Sequence, residues 1–402
     1  MTSNEGESER PFLWGASTAA HQIEGNNVNS DWWVRENAPD RGHISEPSLD
    51  AADSYHRYGE DMRLLADAGL TAYRFSIEWA RIEPEPGLVS RAQLLHYRRM
   101  VDTARALGLE PVVTLHHFTN PRWFADRGGW LADDAVERFR TYVQTALPVI
   151  DGVRYVCTFN EPNMTAVLAA EGAVESLQAG LLPPGHPAVS ATLAAAHAAA
   201  RDVLRPAGHQ VGWTVANQAF QAEPGAEQAM AEYAASREDF FLDVARDDDW
   251  LGVQSYTRTV IGVDGRPRPV PDGVERTLTG WEYYPDALGE AVRHSWQRTG
   301  GVPMLVTENG IATGDDERRI AYTAAALQGL QAAMDDGADV RGYLHWSALD
   351  NYEWGSYRPT FGLIGWDRET FARQPKPSLG WLGRRAREHA EHGRLVSDSL
   401  TG

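Results

Sequence analysis

The chain has 402 residues, and 37 Lys+Arg against 56 Asp+Glu leave a net charge of −19, a field that repels phosphate backbones and acidic membrane surfaces and makes nucleic acid and lipid poor partners. Its single lysine, Lys376, lies in the loop-like stretch QPKPS, so neither a Walker-type phosphate loop nor a Schiff-base lysine on a strand or helix is available. Its single cysteine, Cys157, excludes an intramolecular disulfide, a thiolate metal cage and an iron–sulfur cluster.

In chain order, the opening segment MTSNEGESER is polar and acidic, lacks the order of a secretory signal and is expected to be disordered. No later stretch holds enough uninterrupted apolar residues to span a bilayer, so the expectation is a soluble, cytoplasmic protein. Eight short apolar or β-branched runs follow: FLWGAS (12–17), AYRFSI (72–77), PVVTLHH (111–117), YVCTFNE (155–161), QVGWTVAN (210–217), WLGVQSY (250–256), PMLVTENG (303–310) and GYLHWSA (342–348). Amphipathic segments separate them, among them SRAQLLHYRRMVDTARALG with Ser90 placed to cap and Gly108 to stop a helix. Strict alternation of strand and helix predicts a parallel sheet with helical crossovers, and eight repeats favour a closed (β/α)8 TIM barrel over an open sheet. No linker divides the chain, so a single domain over 1–402 is expected, with a frayed tail at 395–402. The Ala-rich stretch 188–200 reads as an ordinary barrel helix and the triplet Asp247 to Asp249 as a solvated turn.

A barrel of this kind carries its site at the carboxyl ends of the strands. Those ends hold Gln22 and Glu24, Arg74 and Glu78, His116 and His117, Asn160 and Glu161, Asn217, Gln254 and Tyr256, Glu308 and Asn309, and Trp346 with Asp350. Within TFNEP and VTENG a glutamate tips an otherwise apolar strand, and the fourth and seventh strands face each other across a barrel mouth. Taken singly, each glutamate serves equally well as a buried ion-pair or capping residue. As a pair they fit glycosidic cleavage, which needs a proton donor for the leaving oxygen and a carboxylate for the oxocarbenium-like centre. Arg74 can keep one carboxylate ionised while the other, less compensated, holds its proton.

Fourteen tryptophans point to sugar, because indole rings cover the apolar faces of pyranoses while Gln, His, Asn and Glu bind hydroxyls. Trp346 and Trp354, flanking Asp350 and Glu353, are the expected sugar contacts, whereas Trp123 and Trp130 read as structural. Neighbouring His116 and His117 point to opposite faces of a strand and cannot ligate one ion together. HExxH, GxSxG and a glycine-rich dinucleotide turn are all missing, so no metal or cofactor is expected.

The motifs FLWGASTAAHQIEG, YRFSIEWARIEPEPG, TLHHFTNPRWF, TFNEP, LGVQSYT, VTENG, WSALDNYEW and FGLIGWD stand in the order found in glycoside hydrolase family 1, and the chain resembles that family of retaining β-glycosidases over essentially its full length. The resemblance implies Glu161 as acid/base, Glu308 as nucleophile, Asn160 on the 2-hydroxyl, and Arg74 and Tyr256 orienting Glu308. It implies Gln22, His117 and Glu353 on hydroxyls of the terminal sugar, with Trp346 under its ring and Trp354 beside Glu353. Glu353 and the scarcity of lysine argue against the phospho-glycosidase branch. Departures from the family pattern are His21, Phe118, Gln254 and Ser255, where an aromatic residue, tryptophan, asparagine and tyrosine are usual. The stretches after Trp354 and after Glu161 also read as trimmed, which would open the leaving-group side. The expected activity is exo-acting hydrolysis of a small-molecule β-glycoside, foremost a β-glucoside, by double displacement without a cofactor. The rivals are a specialised deglycosylase or transglycosylase for a natural-product glycoside, and a catalytically silent sugar-binding barrel.

Overall fold

In the computed structural model, residues 11–178 and 181–396 are described. All eight expected strands form: β1 (Leu13–Ser17), β2 (Ala72–Ser76), β3 (Glu110–His116), β4 (Tyr155–Asn160), β5 (Gln210–Ala216), β6 (Leu251–Gln254), β7 (Met304–Glu308) and β8 (Val340–Trp346). They pair in parallel in sequence order, and β1 closes on β8 with Leu13 opposite Gly342 and Ser17 opposite Trp346. The molecule is the closed barrel that the alternation predicts.

Helices wrap the strands, including Ser54–Ala68, Arg91–Ala106, Ala135–Ile150, Pro187–Leu204, Ala287–Thr299, Asp316–Asp335 and Pro377–His392. Ser90 accepts from the N–H of Gln93, and Gly108 follows the last turn with φ 77°, so the expected start and stop are both used. The Ala-rich stretch lies inside Pro187–Leu204. Inside the barrel, Ala72, Val112, Tyr155, Cys157, Trp250, Leu305 and Leu344 form a buried apolar plug below the mouth. A second, larger apolar layer fills the space between strands and helices; each fully buried large aliphatic or aromatic side chain there is worth about 1.5–3 kcal/mol. The plug gives the mouth a rigid floor.

Three details refine the sequence reading. Asp248, in the triplet expected to be a solvated turn, is buried and accepts from His197 Nε2 and Arg201 Nη1 at 2.8 Å each. A cation four residues from a histidine on one helix face captures it, and the turn becomes a tie between helix and barrel. Leu395 is buried and its N–H donates to Gln331 at 2.8 Å, while 397–402 of the expected tail, and the first ten residues, lie outside the described residues. Among the described residues no helix is long and apolar enough to cross a membrane.

Candidate active site

The polar residues at the strand ends do not all turn the same way. Glu24 pairs with Arg81 at 3.0 Å and accepts from Tyr97. Glu78 accepts from Thr119, and burial pushes its carboxyl up to about 7. His116 packs among Trp130, Phe139 and Phe159 and meets Asn120, Asn217 donates to Glu238 and Ser295, Asn309 donates to the Ser255 carbonyl, and Asp350 holds Lys376 at 2.7 Å. These six knit the barrel rim to its surroundings. Trp123 and Trp130 are buried as structural residues, and the Trp123 indole donates to the Glu83 carbonyl at 2.8 Å.

The remaining residues converge. Gln22, His117, Asn160, Glu161, Gln254, Tyr256, Glu308, Trp346, Glu353 and Trp354 line one cavity of about 370 Å³ at the mouth, and Arg74 lies fully buried beneath it. His117 faces the cavity and His116 the core, as alternation along a strand requires.

Two carboxylates sit in this cavity in unlike surroundings. Glu308, the last residue of β7, accepts from Arg74 Nη1 at 2.7 Å on one oxygen and from the Tyr256 hydroxyl at 2.6 Å on the other. Burial raises its pKa, while Arg74 and Tyr256 pull it back. Glu161 follows β4, where the backbone turns to φ 44° and opens the helix Pro162–Leu168. That turn aims the side chain over the mouth; its main-chain N–H is fixed to the Thr214 carbonyl at 2.9 Å. Burial, then the charge of Glu308, push the Glu161 pKa well above the ordinary carboxyl range, against the opposing pull of Arg74. Of the two, Glu308 is the better compensated, because Arg74 and Tyr256 both bond to it, while Glu161 has burial and a neighbouring carboxylate against it.

Asn160 is oriented by its neighbours. Its Oδ1 accepts from Arg74 Nη2 at 2.6 Å, Gln254 Nε2 at 2.9 Å and Thr214 Oγ1 at 3.2 Å, and three donors on the carbonyl oxygen leave the amide NH2 as the group facing the cavity. Thr214 and Gln254 share this task, and Thr214 carried no signal in the sequence beyond its place on a strand. Gln22 donates to Asn351 Oδ1 at 3.1 Å and to the Tyr352 carbonyl at 2.9 Å, which leaves its buried Oε1 free as an acceptor. The Trp346 indole donates to Glu353 at 3.1 Å, and burial raises the Glu353 carboxyl to about 8. Trp354 lies flat on His21, with ring centroids 5.7 Å apart and an interplanar angle of 3°, and meets Phe118 edge-on at 5.1 Å. Two of the departures from the family pattern therefore pack against one indole of the cavity wall. Sequence reading missed Met164, Leu177, Trp281 and Phe361 in the wall; Met164 and Leu177 sit on the short helices Pro162–Leu168 and Ala173–Gln178, and Trp281 and Phe361 on loops, none long enough to show a period.

Glycosyl hydrolase family 1 is the family whose model matches residues 6–244 and 243–390. The chain belongs to glycosyl hydrolase family 1. It is 34% identical to thermostable beta-glucosidase B of Thermobispora bispora, over 92% of this chain and 88% of that protein. It is 30% identical to a bifunctional beta-D-glucosidase/beta-D-fucosidase of Bifidobacterium breve, over 94% of this chain and 98% of that protein. The crystal structure of beta-glycosidase BGL167 superposes with a TM-score of 0.86 at 42% identity, over 94% of this chain and 96% of that one. Family membership makes this chain a glycoside hydrolase, a retaining β-glycosidase, and the paired carboxylates at the barrel mouth are in keeping with that chemistry.

Proposed function

We propose that the chain is an exo-acting β-glucosidase in which Glu308 is the nucleophile and Glu161 the acid/base, working by double displacement on the terminal non-reducing sugar of a small-molecule β-glycoside. The observation that carries the assignment is the asymmetry of the two carboxylates: Glu308 is gripped by Arg74 and Tyr256, while Glu161 stands beside the negative charge of Glu308 in a poorly solvated place. A gripped, ionised oxygen attacks the anomeric carbon; a protonated carboxyl donates to the departing oxygen. Ester formation then removes the charge of Glu308, Glu161 loses the neighbour that held its proton, and it becomes the base that activates water. The two carboxyl groups are expected about 5–5.5 Å apart, the span of retaining enzymes.

The Asn160 NH2 donates to the 2-hydroxyl, a contact that tightens as charge develops at the adjacent carbon. Gln22 Oε1, His117 and Glu353 bind the hydroxyls at the far end, Trp346 lies under the ring, and Trp354 flanks Glu353. Gln22, Glu353 and Trp354 line the cavity with Trp346, and with their polar groups spent on the terminal sugar the enzyme takes a chain terminus rather than an internal unit. The reaction uses side chains alone. The net charge of −19 keeps nucleic acid and acidic membranes away, which fits one cytoplasmic domain acting on a small molecule.

A panel of aryl β-glycosides (glucoside, galactoside, fucoside, xyloside and mannoside), followed by NMR of the first-formed anomer and run with and without alcohol acceptors, tests this reading. Fastest turnover of the glucoside with a β-configured product is expected. An α-configured product sinks the double displacement, and retained sugar binding without turnover in the wild-type chain makes it a silent barrel.

A further inference from the structure

A second cavity, of about 610 Å³, adjoins the sugar pocket and shares Met164, Leu177, Gln218 and Trp281 with it. Its remaining wall adds Leu181, Leu182 and Tyr233 on one side and Arg258, Arg268 and Arg276 on the other. Trp281 stands at the junction. It packs against Tyr256, the donor to Glu308, with centroids 5.5 Å apart, yet it is 41% exposed, so an indole face beside the reaction centre is left open. The loop that carries it is pinned at both ends: the Thr277 N–H donates to the Trp281 carbonyl and the Leu278 N–H to the Ala312 carbonyl, at 2.9 Å each.

The arginines are not equivalent. Arg258 is neutralised by Glu282 at 2.8 Å, and Arg268 by Glu223 and Asp264 at 2.9 Å each. Among the described residues, Arg276 donates only to the main-chain carbonyls of Val270 and Gly280, at 2.7 and 3.4 Å. The charges of Arg258 and Arg268 are thus offset by Glu282, Glu223 and Asp264, and among the described residues of this rim Arg276 is the guanidinium left without a carboxylate partner, the one positive charge there open to an incoming anion.

We propose that this second cavity is the leaving-group site and that it selects an aromatic aglycone bearing an anionic group, the ring lying on Trp281 between Met164 and Leu177 and the anion reaching Arg276. The assignment rests on the β-glycosidase reading above. Continuity supplies the position, since Met164, Leu177, Gln218 and Trp281 belong to both cavities and Met164 stands one helical turn beyond Glu161. The open indole supplies the ring preference, because an aromatic face without a partner gains from stacking. Arg276 supplies the charge preference and Glu282 opposes it least, being already held by Arg258. A neutral alkyl aglycone gains neither contact.

The test uses two coumarin β-glucosides of matched leaving-group pKa, one carrying a carboxylate remote from the glycosidic oxygen, and compares the ratio of their kcat/KM values. The wild-type chain is expected to favour the carboxylated substrate about fivefold at low salt, the size of one partly exposed ion pair, and to lose the preference as salt rises. Arg276→Gln should bring the ratio to about one, Arg276→Lys should restore most of it, and Trp281→Ala should lower kcat/KM for both coumarins relative to methyl β-glucoside. A wild-type ratio of one, or a ratio unmoved by Arg276→Gln in a variant whose melting temperature matches wild type, overturns the anionic-aglycone assignment while leaving glucosidase activity in place. Failure to cleave either coumarin or 4-nitrophenyl β-glucoside overturns the catalytic reading and this one with it.

Discussion

At the proposed sugar end of the cleft, Arg74, Asn160, Gln254 and Glu308 leave the barrel strands and lock one another through hydrogen bonds of 2.6–2.9 Å, whereas at the proposed leaving-group end Met164, Leu177 and Trp281 come from connecting segments and line the wall with largely apolar side chains. The first end is preorganised polarity on a rigid floor, and a substrate there replaces water without rearranging the protein. The second is a wall of side chains whose identity can change without disturbing a network. Chemistry is fixed at one end and substrate choice is left adjustable at the other.

That contrast is broken most severely at its centre. Glu308→Ala removes the group that forms the glycosyl bond, and kcat/KM should fall by about 10⁴-fold or more on every substrate. Added azide enters from the vacated face and gives an α-glycosyl azide, measurable by NMR. A β-azide would place the nucleophile elsewhere.

Glu161→Ala stands on the border between the two ends, so its effect should depend on the leaving group. A loss of about 10²–10⁴-fold is expected for an alkyl glucoside that needs protonation, and a far smaller one for a dinitrophenyl glucoside that does not. The alkaline limb of the pH profile should also vanish. In the wild type that limb reports loss of the Glu161 proton, and because burial and Glu308 raise the Glu161 pKa, it lies above the range of an ordinary carboxyl. Equal losses on both substrates would deny Glu161 the role of acid.

The two ends were not equally legible in the sequence. Strand spacing placed all eight strands, and the strand-end rule placed Arg74, His117, Asn160, Glu161, Gln254, Tyr256 and Glu308, because a barrel strand can end in only one direction. The same rule over-predicted. It could not tell that Glu24, Glu78, Asn217, Asn309 and Asp350 turn away from the cavity, since beyond a strand's end alternation no longer fixes direction; Phe118 at φ 65° and Glu161 at φ 44° show the chain turning there. Asp248 was misread because charge runs look solvated, although His197 and Arg201, four residues apart on one helix, were the available clue. The leaving-group wall was least legible of all. Its residues lie between 164 and 182, at Gln218 and Tyr233, and between 257 and 282, stretches that meet only in three dimensions.

Tyr256→Phe probes the lock itself. The phenol donates to ionised Glu308 at 2.6 Å, and a hydrogen bond to a charged group is worth about 1.5–3 kcal/mol, so kcat/KM should fall at least tenfold. The sign of the pH effect is fixed: the phenol lowers the Glu308 pKa, its loss raises it, and the acidic limb of the profile should move to higher pH. An unmoved limb would mean that Tyr256 does not hold the nucleophile. Met164→Ala, at the other end, should change the ranking among aryl aglycones by about threefold and leave the glucoside-to-galactoside ratio alone.

The smallest effect is expected where the sugar end has most redundancy. Thr214→Val removes one of three donors to Asn160 Oδ1 and keeps the shape of the side chain, so Arg74 and Gln254 still hold the amide. One neutral hydrogen bond contributes about 1 kcal/mol, and since the amide faces the 2-hydroxyl, the loss of about fivefold or less should appear in kcat more than in KM. A 2-deoxyglucoside has no hydroxyl for Asn160 to grip, and on that substrate wild type and variant should be indistinguishable. A loss of equal size on both substrates would mean that Thr214 supports the barrel mouth in general, for example through the Glu161 main chain that its own carbonyl holds, and that the three-donor network does not act through the 2-hydroxyl.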